Sequence, residues 1–178
     1  AAGSLDGLVG DTTKVIEAEG KYVMPGLIEP HMHVKAPFSN TIDMLDFYTA
    51  SKCAAFGGVT TFMDFSTTTK EVPVLQAVEE RKAEMADSAE GALDYSVHAK
   101  FITAGNDPDE LRNTVKTLVE KGVPTFKMFT IYPGVMIQDA DILRIMEVAK
   151  EEGALCGFHA ESNDIAQFMT QKLVSEGK

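Results

Sequence analysis

The chain has 178 residues, one domain's length, and its 44% hydrophobic content suffices for a core burying roughly 70% of the unfolded surface. Its 16 basic and 27 acidic residues leave a net charge of −11, which argues against a nucleic-acid partner and for a soluble protein. No apolar run approaches the ~20 residues of a membrane span, the amino end lacks a charged-then-apolar leader, and Cys53 and Cys156 lie far apart, so a cytoplasmic protein with reduced thiols and no membrane contact is expected.

In chain order, Ala1–Gly20 is rich in Gly and Asp and offers one short strand candidate, Lys14–Glu17. The apolar run Val23–Ile28 opens a first strand expected to end at His33. Asp43–Phe56 has helical spacing through Leu45, Tyr48, Ala55 and Phe56 and stops at Gly57-Gly58. Val59–Asp64 is β-branched and aromatic, hence a buried strand. Alternation continues with a helix at Val72–Asp87, a strand at Leu93–Ile102 and a helix at Pro108–Lys121 capped by Asp107. A strand at Pro124–Phe129, a helix at Ala140–Glu151, a strand at Ala154–His159 and a helix at Asp164–Val174 complete about five βα units.

Such a pattern gives a parallel sheet wrapped by helices. A (β/α)8 barrel normally takes about 250 residues, so the fold class is α/β, a partial TIM-like barrel. An open, doubly wound sheet is the structural alternative. That fold expects a glycine-rich phosphate loop after the first strand, where this chain has His-Met-His-Val-Lys.

Parallel sheets bind ligands at the carboxyl ends of their strands, and polar residues of metal-ligand type stand at several of these ends. His31 and His33, two apart on an extended segment, project to one face with Met32 opposite. Lys127 sits among Phe126, Met128 and Phe129. On a central strand it points inward with Thr125 and Phe129, and desolvation favours its neutral, nucleophilic amine, which can condense with carbon dioxide to a carbamate. On an edge strand it would instead snorkel to water. His159 ends Leu155-Cys156-Gly157-Phe158, with Cys156 on the opposite face. His98 lies mid-strand and reads as a core or supporting group. Asp64 could orient a metal-bound histidine or simply end its strand. Tyr132, before Pro133-Gly134, either packs in its loop or donates to a developing oxyanion.

Together these segments resemble the cyclic amidohydrolases, most closely the dihydropyrimidinase and hydantoinase branch. Pro25-Gly26-Leu27-Ile28-Glu29-Pro30-His31-Met32-His33 resembles that family's first-strand signature, with Glu29 where the family usually has Asp. Phe126-Lys127-Met128-Phe129 followed by Tyr132 resembles its carbamylated-lysine segment, and His159-Ala160-Glu161 its fifth-strand histidine.

The resemblance runs from about Val15 to the carboxyl end and implies an amino-terminal part of such an enzyme. It implies a remnant of a small β-sandwich domain over residues 1–24 and a partial barrel over 25–178. It further implies two divalent metal ions, zinc by expectation. His31 and His33 would bind one, carbamylated Lys127 would bridge both, and His159 would bind the second. A hydroxide between cations roughly 3.5–4 Å apart would attack a ring amide, with Tyr132 steadying the oxyanion and Phe38 and Phe129 lining the substrate pocket.

The implied reaction opens a dihydropyrimidine or hydantoin ring to an N-carbamoyl amino acid. The family's remaining histidine and catalytic aspartate match no residue here, so the piece alone is expected to be inactive. Unpaired sheet edges make a homo-oligomer the expectation. The rival functions are a non-catalytic scaffold of the same fold, an allantoinase- or dihydroorotase-type hydrolase, and an open-sheet nucleotide binder.

Overall fold

The computed structural model describes residues 7–38, 41–88 and 93–178. Its elements, in chain order, are β1 (Leu27–Glu29), β2 (Pro37–Phe38), β3 (Thr41–Ile42), α1 (Phe47–Phe56), β4 (Val59–Phe65) and α2 (Val74–Ser88). They continue with β5 (Asp94–Lys100), α3 (Pro108–Glu120), β6 (Thr125–Phe129), α4 (Asp139–Glu152), β7 (Leu155–His159) and α5 (Asn163–Ser175).

Five parallel strands form one sheet in the order β1-β4-β5-β6-β7. Spatial order follows sequence order, so each βα unit lays its strand beside the previous one. A doubly wound sheet would reverse direction partway. The fold is therefore a parallel half-barrel, and the open-sheet alternative is set aside.

Side-chain alternation along each strand gives the sheet two chemically different faces. Phe62, Val97, Phe126 and Met128 join Phe47 of α1, Val78 and Met85 of α2, Val115 and Leu118 of α3 and Ile145 of α4 in one buried core. The opposite face carries Phe65, His98, Lys127, Phe129 and His159, whose rings and amine contact one another.

Local chemistry sets the boundaries. Asp107 caps α3, accepting from the Asp109 and Glu110 amides at 2.9 and 3.4 Å, with Pro108 in the first turn where no donor is missed. Asp46 caps α1 through the Thr49 amide at 2.7 Å, so that helix starts at Phe47 rather than at Asp43. Gly153 ends α4 with φ +73°, a left-handed turn that glycine takes without strain. At Gly26 the constraint is space, since a Cβ there would lie 2.1 Å from Cγ2 of Thr60.

Two further expectations change. β1 ends at Glu29 rather than His33, because Pro30 has no amide to continue the ladder. Lys14–Glu17 forms no strand: among the described residues it has no sheet neighbour to satisfy its backbone, and it stays exposed. The antiparallel pair β2–β3 is additional to the sequence reading.

Candidate metal centre

Beyond Pro30 the chain is held to β4 by the Met32 amide, which donates to the Met63 carbonyl at 3.0 Å. Met32 packs against the core, which turns His31 and His33 to the other side. Their Nε2 atoms stand 3.2 Å apart. Both imidazoles rest on Phe65, with ring centroids at 4.7 and 4.8 Å. Two nitrogens bound to one zinc at about 2.0–2.1 Å and a near-tetrahedral angle lie roughly 3.3 Å apart, so the pair fits a shared cation. Glu29 serves the same turn by accepting from the His31 amide at 2.9 Å.

Burial holds both histidines below the ordinary value of 6.5. For His31 the positive charges of Lys127, His33 and His98 push the same way, against Glu29. For His33, Lys127 and Arg81 add to burial, against Asp43. Neutral imidazole is the ligating form.

His98 supports this loop from β5. Its Nε2 lies 2.8 Å from the Pro30 carbonyl, an acceptor only, so Nε2 carries the proton. Nδ1 lies 2.8 Å from the Thr125 hydroxyl. Its ring also lies 4.8 Å from Phe65.

Lys127 is 8% exposed and points to the inner face. Its Nζ sits 5.6 Å from the Phe65 ring centre and 4.9 Å from that of Phe129, meeting ring faces rather than a carboxylate. Burial lowers its pKa, which raises the share of free amine.

His159, at the end of β7, stacks on Phe129 at 5.6 Å. Its Nε2 lies 2.5 Å from Oε1 of Glu161 and 3.4 Å from the Tyr132 hydroxyl. Tyr132 holds φ +75°, a left-handed conformation costing on the order of 1–3 kcal/mol in a non-glycine residue. The Val135 and Met136 amides both donate to its carbonyl, at 3.1 and 2.9 Å, and hold the turn that aims the phenol at His159.

Lys127 thus reaches the ring platform of each histidine group: Phe65 beneath His31 and His33, Phe129 beneath His159. Among the described residues no three His, Cys, Asp or Glu side chains form a metal cluster by themselves. The donors come as two sets with the lysine touching both platforms.

Other candidates fall elsewhere. Asp64 faces the helices, 1% exposed, and pairs with Arg81 rather than with a histidine. Cys156 packs against the core, where burial pushes its thiol up. The Phe38 side chain lies outside the described residues.

Phe65, Glu161 and Arg81 were not singled out from sequence. Phe65 was detectable in principle, since it shares its strand face with Thr61 and Met63 at the carboxyl end of β4.

The chain belongs to the amidohydrolase family, whose profile matches residues 22–178. It is similar to the D-hydantoinase of Geobacillus stearothermophilus, 38% identical over 167 residues, covering 92% of this chain and 34% of that protein. It is also similar to the dihydropyrimidinase of Rattus norvegicus, 34% identical over 173 residues, covering 94% of this chain and 32% of that one. The crystal structure of dihydropyrimidinase from Brevibacillus agri NCHU1002 superposes with a TM-score of 0.86 at 32% identity, covering 96% of this chain and 36% of that one. The chain therefore spans about a third of the length of these relatives.

Proposed function

We propose that the protein carrying this chain, at its full natural length, hydrolyses cyclic amide C–N bonds, opening a dihydropyrimidine or hydantoin ring to an N-carbamoyl amino acid. The observation that carries this reading is the 3.2 Å pairing of the His31 and His33 Nε2 atoms beside an inward lysine that has aromatic rings rather than a carboxylate about its amine. The similarity to hydantoinases and dihydropyrimidinases supports it.

Two divalent cations, zinc in this reading, would be held by His31 and His33, by His159, and by a carbamate on Lys127 shared between them. Bound there, they supply Lewis acidity and lower the pKa of water. The carbamate forms when the free Lys127 amine bonds the carbon of carbon dioxide and releases one proton. Burial of Lys127 favours the amine that this step needs. Tyr132 donates its phenolic proton in a hydrogen bond to the ring carbonyl oxygen as negative charge develops there. Phe129 flanks the flat ring. His98 keeps the Pro30 carbonyl, and with it the histidine loop, in place.

β1 and β7 each have one sheet neighbour among the described residues, and such edges favour association. We assign the protein to an oligomer, and on its two free thiols to the cytoplasm. No described helix is long and apolar enough to cross a membrane.

The test is to incubate the full-length protein with dihydrouracil or hydantoin and quantify N-carbamoyl product, with and without a chelator. Chelator-sensitive ring opening is expected. A metal-free protein that opens neither ring, before or after zinc is supplied, would overturn the reading and favour a scaffold of the same fold.

A further inference from the structure

We infer that Arg81 is a positioning residue that sets the metal affinity of His31 and His33 through the main chain at Val34. The inference rests on the metal reading above and goes beyond it, because Arg81 stands behind the sheet on α2 and belongs to none of the donor sets.

Arg81 is 6% exposed. Its Nε and Nη2 donate to Oδ2 of Asp64 at 3.1 and 2.6 Å, and Nη1 donates to Oε2 of Glu84 at 2.7 Å. The guanidinium carbon lies 4.7 Å from the Phe47 ring centre, which closes one face. Two carboxylates already satisfy the cation's charge. The remaining contact is different in kind: Nη2 also donates to the carbonyl of Val34, the residue after His33.

The same turn is held at two further points. The Val34 side chain is 1% exposed in the core. Lys35 takes a left-handed φ of +47° and reaches Oε1 of Glu84 at 3.3 Å. The segment bearing the histidine pair is therefore fastened to α2 at its carboxyl end and to β4 by the Met32 amide at its middle. Replacing a buried ion pair with apolar residues is often neutral for stability. Geometry at a ligand pair is less forgiving, since groups that orient metal ligands typically matter by 10–100-fold in affinity.

The experiment uses the full-length protein with Arg81→Lys, the paired change Asp64→Leu/Arg81→Met, and Arg112→Met as an exposed control on α3. Zinc affinity is read by competition with a chromogenic chelator, and folding by thermal melting of the metal-free protein. In the paired variant the expected result is a fall in zinc affinity of about 10–100-fold with little change in melting. Arg81→Lys keeps the charge but loses the fork, so it recovers affinity only in part, and Arg112→Met leaves it unchanged.

Folded variants that bind zinc as tightly as the parent overturn the role of Arg81 and leave the metal reading standing. A parent that binds no zinc overturns both. Should the paired variant not fold, Arg81→Lys decides: a loss in affinity without a matching loss in melting supports the role, and parental affinity overturns it.

Discussion

The Lys127 amine stands 4.9 Å from the centre of the Phe129 ring, one strand end away from the histidine that stacks on that same ring. An ammonium there gains some attraction from the ring face but loses its water, and burial prevails by lowering the pKa. The position raises the share of uncharged amine.

Lys127→Met therefore has opposite effects on two quantities. Metal-free stability, read as a urea midpoint, rises by about 1 kcal/mol because an inward cation is replaced by an apolar chain of similar length. In the full-length protein the proposed two zinc ions per chain fall to less than one. A variant that keeps its full metal content would remove Lys127 from the site.

Stability should depend on pH through His31 and His33. Their folded pKa values lie below 6.5, so between those values and 6.5 the unfolded chain binds more protons than the folded one. Metal-free stability then rises with pH across that window and levels off above it. Chemical denaturation at a series of pH values checks this, and a His31→Asn/His33→Asn variant should show a flatter rise. Lys127 adds a second rise toward pH 10.5, again because its folded pKa is the lower one, and Lys127→Met removes it.

In the full-length protein, on the proposed reading, Tyr132→Phe should lower kcat for ring opening about 10²–10³-fold while KM and the melting temperature change little. The hydroxyl is exposed and its nearest partner is Nε2 of His159 at 3.4 Å, so little folding energy depends on it. An unchanged kcat would return Tyr132 to a packing role.

Phe65→Leu should weaken zinc binding about tenfold while leaving the fold intact. The ring lies beneath His31, His33 and His98 together, so its loss removes the platform under the ligand pair. Zinc competition and melting of the metal-free form separate the two effects.

Periodicity in the sequence located the βα units because each strand and helix is coded locally: glycine stops, Asp107 before Pro108, β-branched runs. Strand alternation grouped Lys127 with Thr125 and Phe129, inward if the strand is central, and put Cys156 opposite His159; β6 is central, the Lys127 amine lies over Phe65 and Phe129, and Cys156 packs on the core. Four features could not be read this way. The true end of β1 depends on where Pro30 leaves the ladder relative to β4. The pairing of Asp64 with Arg81 joins residues from two elements, and so does the hold of Arg81 on Val34. Phe65 looked like one more apolar strand residue, and only the third dimension puts it under the histidines.

The most direct test of the metal centre is anomalous scattering at the zinc edge from crystals of the full-length protein. The expected result is two peaks, one within about 2.0–2.1 Å of both the His31 and His33 Nε2 atoms and one at bonding distance from His159, with carbamate density on Lys127. Crystals soaked in zinc that show no peak at these residues, and a bare amine on Lys127, would contradict the account.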